Sequence, residues 1–262
     1  MREAVAVVGS VLFWGFIAVT SVLLFPVALL LWAVTRPFDP RTRALHQFTC
    51  FWASLYTWFT PVWRVHVSGK ENIRRDATYV MVANHLSLVD ILVLFRLFVP
   101  FSWVSKDENF RVPFIGWNMR LNGYIPLRRG DKASAAVMMD ACRDTLRGGT
   151  SIMMFPEGTR SRTGELQAFK PGAFQLALET GSPLLPIALD GSQRALPKRG
   201  FVLRGRHVIT VRVLPEVPVP ALPDALGAAA ARDLAETTRE VFVAALAAHR
   251  GADSPRSADS SS

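Results

Sequence analysis

The apolar positions of this chain follow two different patterns. From Ala4 to Thr35 no residue carries a charge. That run of roughly thirty residues exceeds the ~20 needed to cross a bilayer as a helix. Pro26 interrupts it and predicts a kink. A secretory signal peptide fits less well, because its apolar region covers only roughly 7–15 residues and Arg2 is a thin basic flank. A second apolar stretch, Ala44–Trp63, is rich in aromatics: Phe48, Phe51, Trp52, Tyr56, Trp58, Phe59 and Trp63. Arg36, Arg41 and Arg43 precede it, and Arg64 and Lys70 follow. Basic residues on both flanks predict that both ends face the cytoplasmic side. The stretch therefore reads as an interfacial or re-entrant helix, with a two-helix hairpin in one leaflet as the competing arrangement.

Beyond it the pattern shortens. Strand-like runs recur at Tyr79–Ala83, Phe101–Ser105, Tyr124–Leu127, Ser151–Phe155, Leu184–Leu189 and Val208–Leu214. Helix-like segments lie between or after them: Ser87–Phe98, Lys132–Leu146, Pro171–Thr180 and Ala228–His249. Gly148-Gly149 and Gly181 mark helix stops. Such alternation predicts an α/β fold with a mixed, partly parallel central sheet flanked by helices. The expected organisation is a hydrophobic helical membrane anchor over residues 1–65, a catalytic domain over 66–250 and a disordered Ser-, Ala- and Asp-rich tail over 251–262.

Composition sharpens this picture. Half of the 262 residues are apolar, and the mean hydropathy is +0.23, high for a soluble enzyme. The formal charge is +9. Arg194, Lys198, Arg199, Arg204, Arg206 and Arg212 contribute to it. Nucleic acid could match such a balance, but the N-terminus directs the expectation to an anionic leaflet, where basic residues gain roughly 1 kcal/mol each. Membrane, not nucleic acid, is the expected partner. Only Cys50 and Cys142 are present, without metal-ligand spacing. Neither a disulfide, a metal nor another cofactor is expected, and a reducing compartment fits.

Two polar signatures follow strand-like runs. The first is Asn84-His85-Leu86-Ser87-Leu88-Val89-Asp90. A neutral imidazole takes a proton from a hydroxyl at neutral pH, and a carboxylate fixes its tautomer and supports the imidazolium. Ser87 and Asp90 also fit a helix capping box, which would reduce Asp90 to a backbone acceptor. The second signature is Phe155-Pro156-Glu157-Gly158-Thr159-Arg160-Ser161. Arg160 offers a planar cationic fork suited to phosphate, Gly158 permits close backbone approach, and Thr159 brings a hydroxyl. Glu157 would repel phosphate, so it is expected to hold Arg160 or Lys106 or to accept a substrate hydroxyl. No Gly-x-Ser-x-Gly nucleophile elbow exists. Direct transfer is therefore preferred over an acyl-enzyme, although Ser87 leaves a Ser–His arrangement open.

Together, and in this order, the two signatures resemble the glycerolipid acyltransferases that include 1-acylglycerol-3-phosphate acyltransferases. The family's first motif is Asn-His-x-x-x-x-Asp and its third is Phe-Pro-Glu-Gly-Thr-Arg-Ser. The resemblance runs from about Gly69 to about Leu214. In the family's second motif, Gly-x-Ile-x-x-Asp-Arg, this chain matches at Gly123, Ile125 and Arg129 and carries Arg128 where an acid is common. The resemblance implies acyl transfer by His85 and Asp90 from an acyl thioester, acyl-CoA or acyl carrier protein, to a lysophospholipid. It implies that Glu157, Gly158, Thr159 and Arg160, with Arg129 and Lys106, hold the acceptor. It adds weight to the helical-hairpin arrangement. A bilayer-borne acceptor, a donor made in the cytoplasm and the basic flank Arg36, Arg41 and Arg43 lead to the expectation of an inner cell membrane location with the catalytic domain on the cytoplasmic face. Other acceptors (glycerol 3-phosphate, another lysophospholipid, a lyso-aminolipid), a lipid ester hydrolase and a non-catalytic membrane binder are the competing readings.

Overall fold

The computed structural model describes residues 2–197, 200–219 and 227–253. Two helices open it: α1 (Arg2–Thr35), which contains Pro26, and α2 (Arg43–Trp58). The alternating domain then runs β1 (Trp63–Ser68), β2 (Val80–Ala83), α3 (Val89–Leu94), β3 (Phe101–Lys106), α4 (Ile115–Leu121) and β4 (Ile125–Leu127). It continues with α5 (Lys132–Arg147), β5 (Ser151–Met154), α6 (Gly172–Thr180), β6 (Leu184–Asp190), α7 (Ser192–Ala195), β7 (His207–Val213) and α8 (Gly227–Asp253).

The seven strands form one sheet in the order β1-β7-β6-β2-β5-β3-β4. The pairs from β6 through β4 are all parallel. β7 is antiparallel to β6, and β1 is parallel to β7. The sheet is therefore mixed, with five strands, β6 through β4, in one direction and the two at the other end, β7 and β1, reversed. β2 and β5 are buried at every position, which is why they read as unbroken apolar runs. Alternate side chains serve two layers. Met81, Ala83 and Met153 pack with α1, α2 and α3, while Val80, Val82 and Ile152 pack with α5, α6 and α8.

Two elements depart from expectation. Residues 60–63 are not helical: α2 stops at Trp58, and Trp63 opens β1, which pairs with β7 and crosses the expected boundary at residue 65. The strand alternates buried and exposed residues over six positions, too few to stand out beside the aromatic run before it. α4 is not among the expected helices; it is short, and Pro113 and Gly116 flank or interrupt its start. Gly116 is required there: a Cβ would lie 2.4 Å from the Phe110 carbonyl oxygen. At the C-terminus α8 runs to Asp253, so the first three tail positions are helical. Residues 254–262 of the expected tail, and Lys198 and Arg199 of the expected basic face, lie outside the described residues.

Gly191 turns the chain from β6 into α7. Its φ is +85°, and a Cβ there would sit 2.0 Å from the Val208 carbonyl oxygen. Gly191→Ala should lower the thermal midpoint by at least about 5 °C. The left-handed backbone alone costs roughly 1–2 kcal/mol, each worth about 2–4 °C in a chain this size, and the clash adds to it. An unchanged melting curve would show that the turn relaxes freely.

Candidate active site

The sheet brings the polar signatures together. In a parallel sheet ligands sit beyond the carboxyl ends of the strands. His85 follows β2 and Glu157 follows β5, and these strands are neighbours. Lys106 ends β3 and Arg129 lies just past β4. On the other side of β2, Ser192 follows β6. Asn84 ties that side down, donating to the Leu189 carbonyl at 2.9 Å and accepting from its N–H at 2.7 Å. All candidate residues thus line one edge of the sheet.

His85 and Asp90 form the centre. His85 Nδ1 lies 2.9 Å from Asp90 Oδ2. Facing an ionised carboxylate, Nδ1 carries the proton and donates it, which leaves Nε2 with a free lone pair. No described residue takes that lone pair by a hydrogen bond. Asp90 Oδ2 also accepts from the N–H groups of Leu86 (2.6 Å) and Ser87 (2.7 Å). Its Oδ1 accepts a short hydrogen bond from Ser192 Oγ. One carboxylate thus does both things that the sequence offered as alternatives: it accepts from the turn into α3 and it holds the imidazole. Ser87 is not a nucleophile for His85. Its hydroxyl donates to the Leu196 carbonyl at 2.7 Å and accepts from Val89 N–H at 3.3 Å.

The second signature grips the first. Glu157 Oε1 accepts from His85 N–H at 2.7 Å, and Ser161 N–H donates to the His85 carbonyl at 2.8 Å. Glu157 Oε2 accepts from the backbone N–H (3.1 Å) and the side-chain amide (3.0 Å) of Gln167. Both oxygens of Glu157 are thus engaged by the chain. This corrects the expectation that it holds Arg160 or Lys106: it fixes the backbone of His85 instead. Burial pushes its carboxyl above the ordinary range, and the N–H donors pull it part of the way back. The Phe155 ring stacks on the imidazole, with centroids 3.9 Å apart and planes 10° from parallel. Trp103 backs Phe155 in turn.

The remaining residues lie farther out. Lys106 is exposed and paired with Glu108 at 2.8 Å. Arg129 is exposed, and Arg128 turns to Asp131 at 3.4 Å. With strands about 4.8 Å apart, β3 and β4 stand roughly 10 and 14 Å from β2. Arg160 belongs to the loop of the neighbouring strand. Gly158 there has φ +70°, and a Cβ would crowd the end of the Lys170 side chain at 2.8 Å. Among the described residues no group of three or more His, Cys, Asp or Glu is placed to hold a metal ion.

A family model described as Acyltransferase matches residues 64–190, the segment that carries these motifs. A chloroplastic 1-acyl-sn-glycerol-3-phosphate acyltransferase of Arabidopsis thaliana is 38% identical over 186 residues, covering 70% of this chain and 51% of that protein. A 1-acyl-sn-glycerol-3-phosphate acyltransferase of Saccharomyces cerevisiae is 34% identical over 188 residues, covering 70% and 59%. Residues 64–190 therefore carry a domain of the acyltransferase family. The chain spans about half the length of the curated relatives it matches. The crystal structure of the 1-acyl-sn-glycerophosphate acyltransferase of Thermotoga maritima shares the fold, with a TM-score of 0.78 and 22% identity over 95% of this chain and 98% of that one.

Three parts of this site were not visible in the sequence. Ser192 and Gln167 are separated from the motifs they serve, and Trp103 reads only as strand. The Asp-Gly-Ser turn after the β6 run was the one available signal for Ser192. Ser192→Ala should lower turnover about ten- to a hundredfold, the range for a lost hydrogen bond to a charged group. KM should stay near wild type, and Ser192→Thr should recover most of the rate. Wild-type turnover in the alanine variant would show that Ser192 only fills space.

Proposed function

We propose that this chain transfers an acyl group from an acyl thioester to the sn-2 hydroxyl of 1-acylglycerol 3-phosphate, giving phosphatidic acid. One observation carries the reading: the His85–Asp90 pair at 2.9 Å, with Nε2 left to meet substrate at the strand edge. His85 Nε2 takes the hydroxyl proton as the oxygen attacks the thioester carbonyl carbon. Asp90 supports the imidazolium that forms. Collapse of the tetrahedral adduct breaks the C–S bond. The thiolate needs little help to leave, since a simple thiol has a pKa near ~8.5, and it takes the proton back from His85. Acyl-CoA or acyl carrier protein would supply the thioester.

The loop after β5 supports the phosphate end of the acceptor. The reacting oxygen and the phosphate-bearing oxygen sit on adjacent carbons of glycerol, so the anion site must be close to His85. Arg160, Thr159 and the backbone around Gly158 satisfy that condition, and Lys106 is one strand farther. The greater distance of β4 gives Arg129 a peripheral place.

α1 supports a membrane location. The apolar stretch spans Glu3–Thr35; its most apolar 18-residue window has mean hydropathy 2.5, and only 11% of that window is buried. Such exposure is unlike the core helix of a soluble protein. Val5, Val11, Leu12, Leu23 and Leu30 all face outward. α1 packs against α2 through Thr20–Tyr56 and against α4 through Phe25–Trp117. The acceptor and product carry long acyl chains and partition into a bilayer, while the donor is water-borne. A catalytic domain held at the cytoplasmic surface of the cell membrane would meet both.

Purified protein, labelled acyl donor and a panel of lysolipids test the reaction, and transfer only to a different acceptor would reassign it. His85→Ala should reduce transfer on the order of 10²–10⁴-fold without loss of fold. Near-wild-type turnover would end the mechanism. Arg160→Ala should raise KM for the phosphate-bearing acceptor and leave donor KM unchanged, and Arg160→Lys should not rescue fully. Equal damage with a phosphate-free acceptor would move Arg160 out of the head-group site. Carbonate or about 1 M salt, where the Debye length is only ~3 Å, should not extract the full-length protein. Extraction by salt alone would overturn the apolar anchor.

A further inference from the structure

Lys70 and Arg96 form a cationic pair that the acyl-transfer site does not use. β1 runs opposite to the five strands β6 through β4, so Lys70, just past it, lies toward their amino ends, away from the edge that carries His85. Gly69 makes this turn. Its φ is +76°, and a Cβ would lie 2.0 Å from the Val213 carbonyl oxygen. Lys70 Nζ then donates to the Arg96 carbonyl at 2.9 Å. Arg96 Nη1 donates to Thr57 Oγ1 at 3.0 Å, and its guanidinium lies 5.2 Å over the Trp58 ring. Trp58 stacks on Phe98 in turn.

Neither cation has an acidic partner within salt-bridge distance among the described residues. Burial first, and the Arg96 charge second, hold the Lys70 ammonium below its ordinary range, and burial lowers Arg96 as well. Like charges fixed together partly out of water cost free energy that a counter-anion would remove. Beside them on α2 and its end, Phe51, Trp58 and Phe59 are 41%, 46% and 69% exposed. Phe59 packs on Phe16 of α1. The pair therefore lies beside an exposed aromatic flank that is continuous with α1, and Trp rings favour the level of lipid head groups.

We propose that Lys70 and Arg96, on the Trp58 platform, bind the phosphate of an anionic membrane lipid at a docking site separate from the acyl-transfer centre. The inference rests on α1 lying in a bilayer. The Arg fork offers two parallel donors to phosphate oxygens, and Lys70 adds a point charge. The positive pair supplies charge complementarity, and the exposed rings supply the apolar flank that a free anion would not need.

Native mass spectrometry of the full-length protein in mild detergent tests this, with titration by phosphatidylglycerol or phosphatidylcholine. Wild type should bind phosphatidylglycerol at least about tenfold more tightly. Lys70→Gln and Arg96→Gln should each cut that preference about fivefold, the ratio set by the usual gain of a basic residue at an anionic surface. Lys70→Arg should keep it. Thermal melts identify any variant that fails to fold, and Lys70→Gln alone decides if Arg96→Gln loses stability with its Thr57 bond. Equal retention of both lipids by wild type and variants overturns the site while leaving the bilayer reading of α1 intact, and retention of neither overturns both. Complete displacement of phosphatidylglycerol by inorganic phosphate also overturns the proposal, because the ligand would then be a free anion. Acyl transfer to a short-chain, water-soluble acceptor, unchanged in these variants, reads the active site separately.

Discussion

Asp90 is fully buried, and a carboxylate taken out of water costs several kcal/mol unless donors surround it. Here four donors do so: the imidazole of His85, the N–H groups of Leu86 and Ser87, and the hydroxyl of Ser192. Those donors come from the β2–α3 turn and from the start of α7. The charge therefore joins two connections on either side of the β6–β2 strand pair. If the carboxylate moved, the turn into α3, the tautomer of His85 and the seat of α7 would change together. Glu157 repeats the device from the other side, collecting His85 N–H and Gln167 around a second buried carboxylate. The imidazole is held at Nδ1, at its backbone N–H, at its carbonyl and on one ring face. Nε2 receives no hydrogen bond from a described residue.

The two sides of the sheet divide the labour. The layer of α5, α6 and α8 is a conventional apolar cover. The opposite layer includes α1 and α2, and the same cluster contains Phe155 and Trp103 beside His85. Residues that pack on the His85 ring and residues that lead to the exposed apolar helix therefore belong to one continuous core. The N-terminal helices are packed into the domain rather than tethered to it, as the Phe13–Trp63 ring contact onto β1 shows.

Much of this was legible in the chain. Six strands announced themselves as short apolar runs; β2, β5 and β6 did so most plainly, because strands covered on both faces carry few polar positions. His85 and Asp90 were legible because both lie within one turn, where sequence spacing is nearly spatial spacing. Ser192 was not, since its contact with Asp90 spans 102 positions and depends on β6 lying beside β2. Glu157 was assigned to the wrong neighbours for a related reason: charge complementarity suggested Arg160 or Lys106, but the nearest donors were backbone N–H groups, which a sequence does not display. β1 was hidden because an edge strand carries Arg64 and His66 on its open face and follows a run of aromatics.

The position of β1 has a consequence for how the molecule is made. Its strand partner is β7, so Trp63 must wait for His207. At a synthesis rate of about 5–20 residues per second, that wait lasts roughly 7–30 s. During it α1 is already available to a bilayer, while the backbone groups of β1 have no partner and the core side of α2 has no sheet to cover. Pairings of such long sequence separation also close slowly. If α1 enters a bilayer as proposed, the nascent chain would spend its vulnerable interval held at a surface, with its open strand edges kept out of free solution.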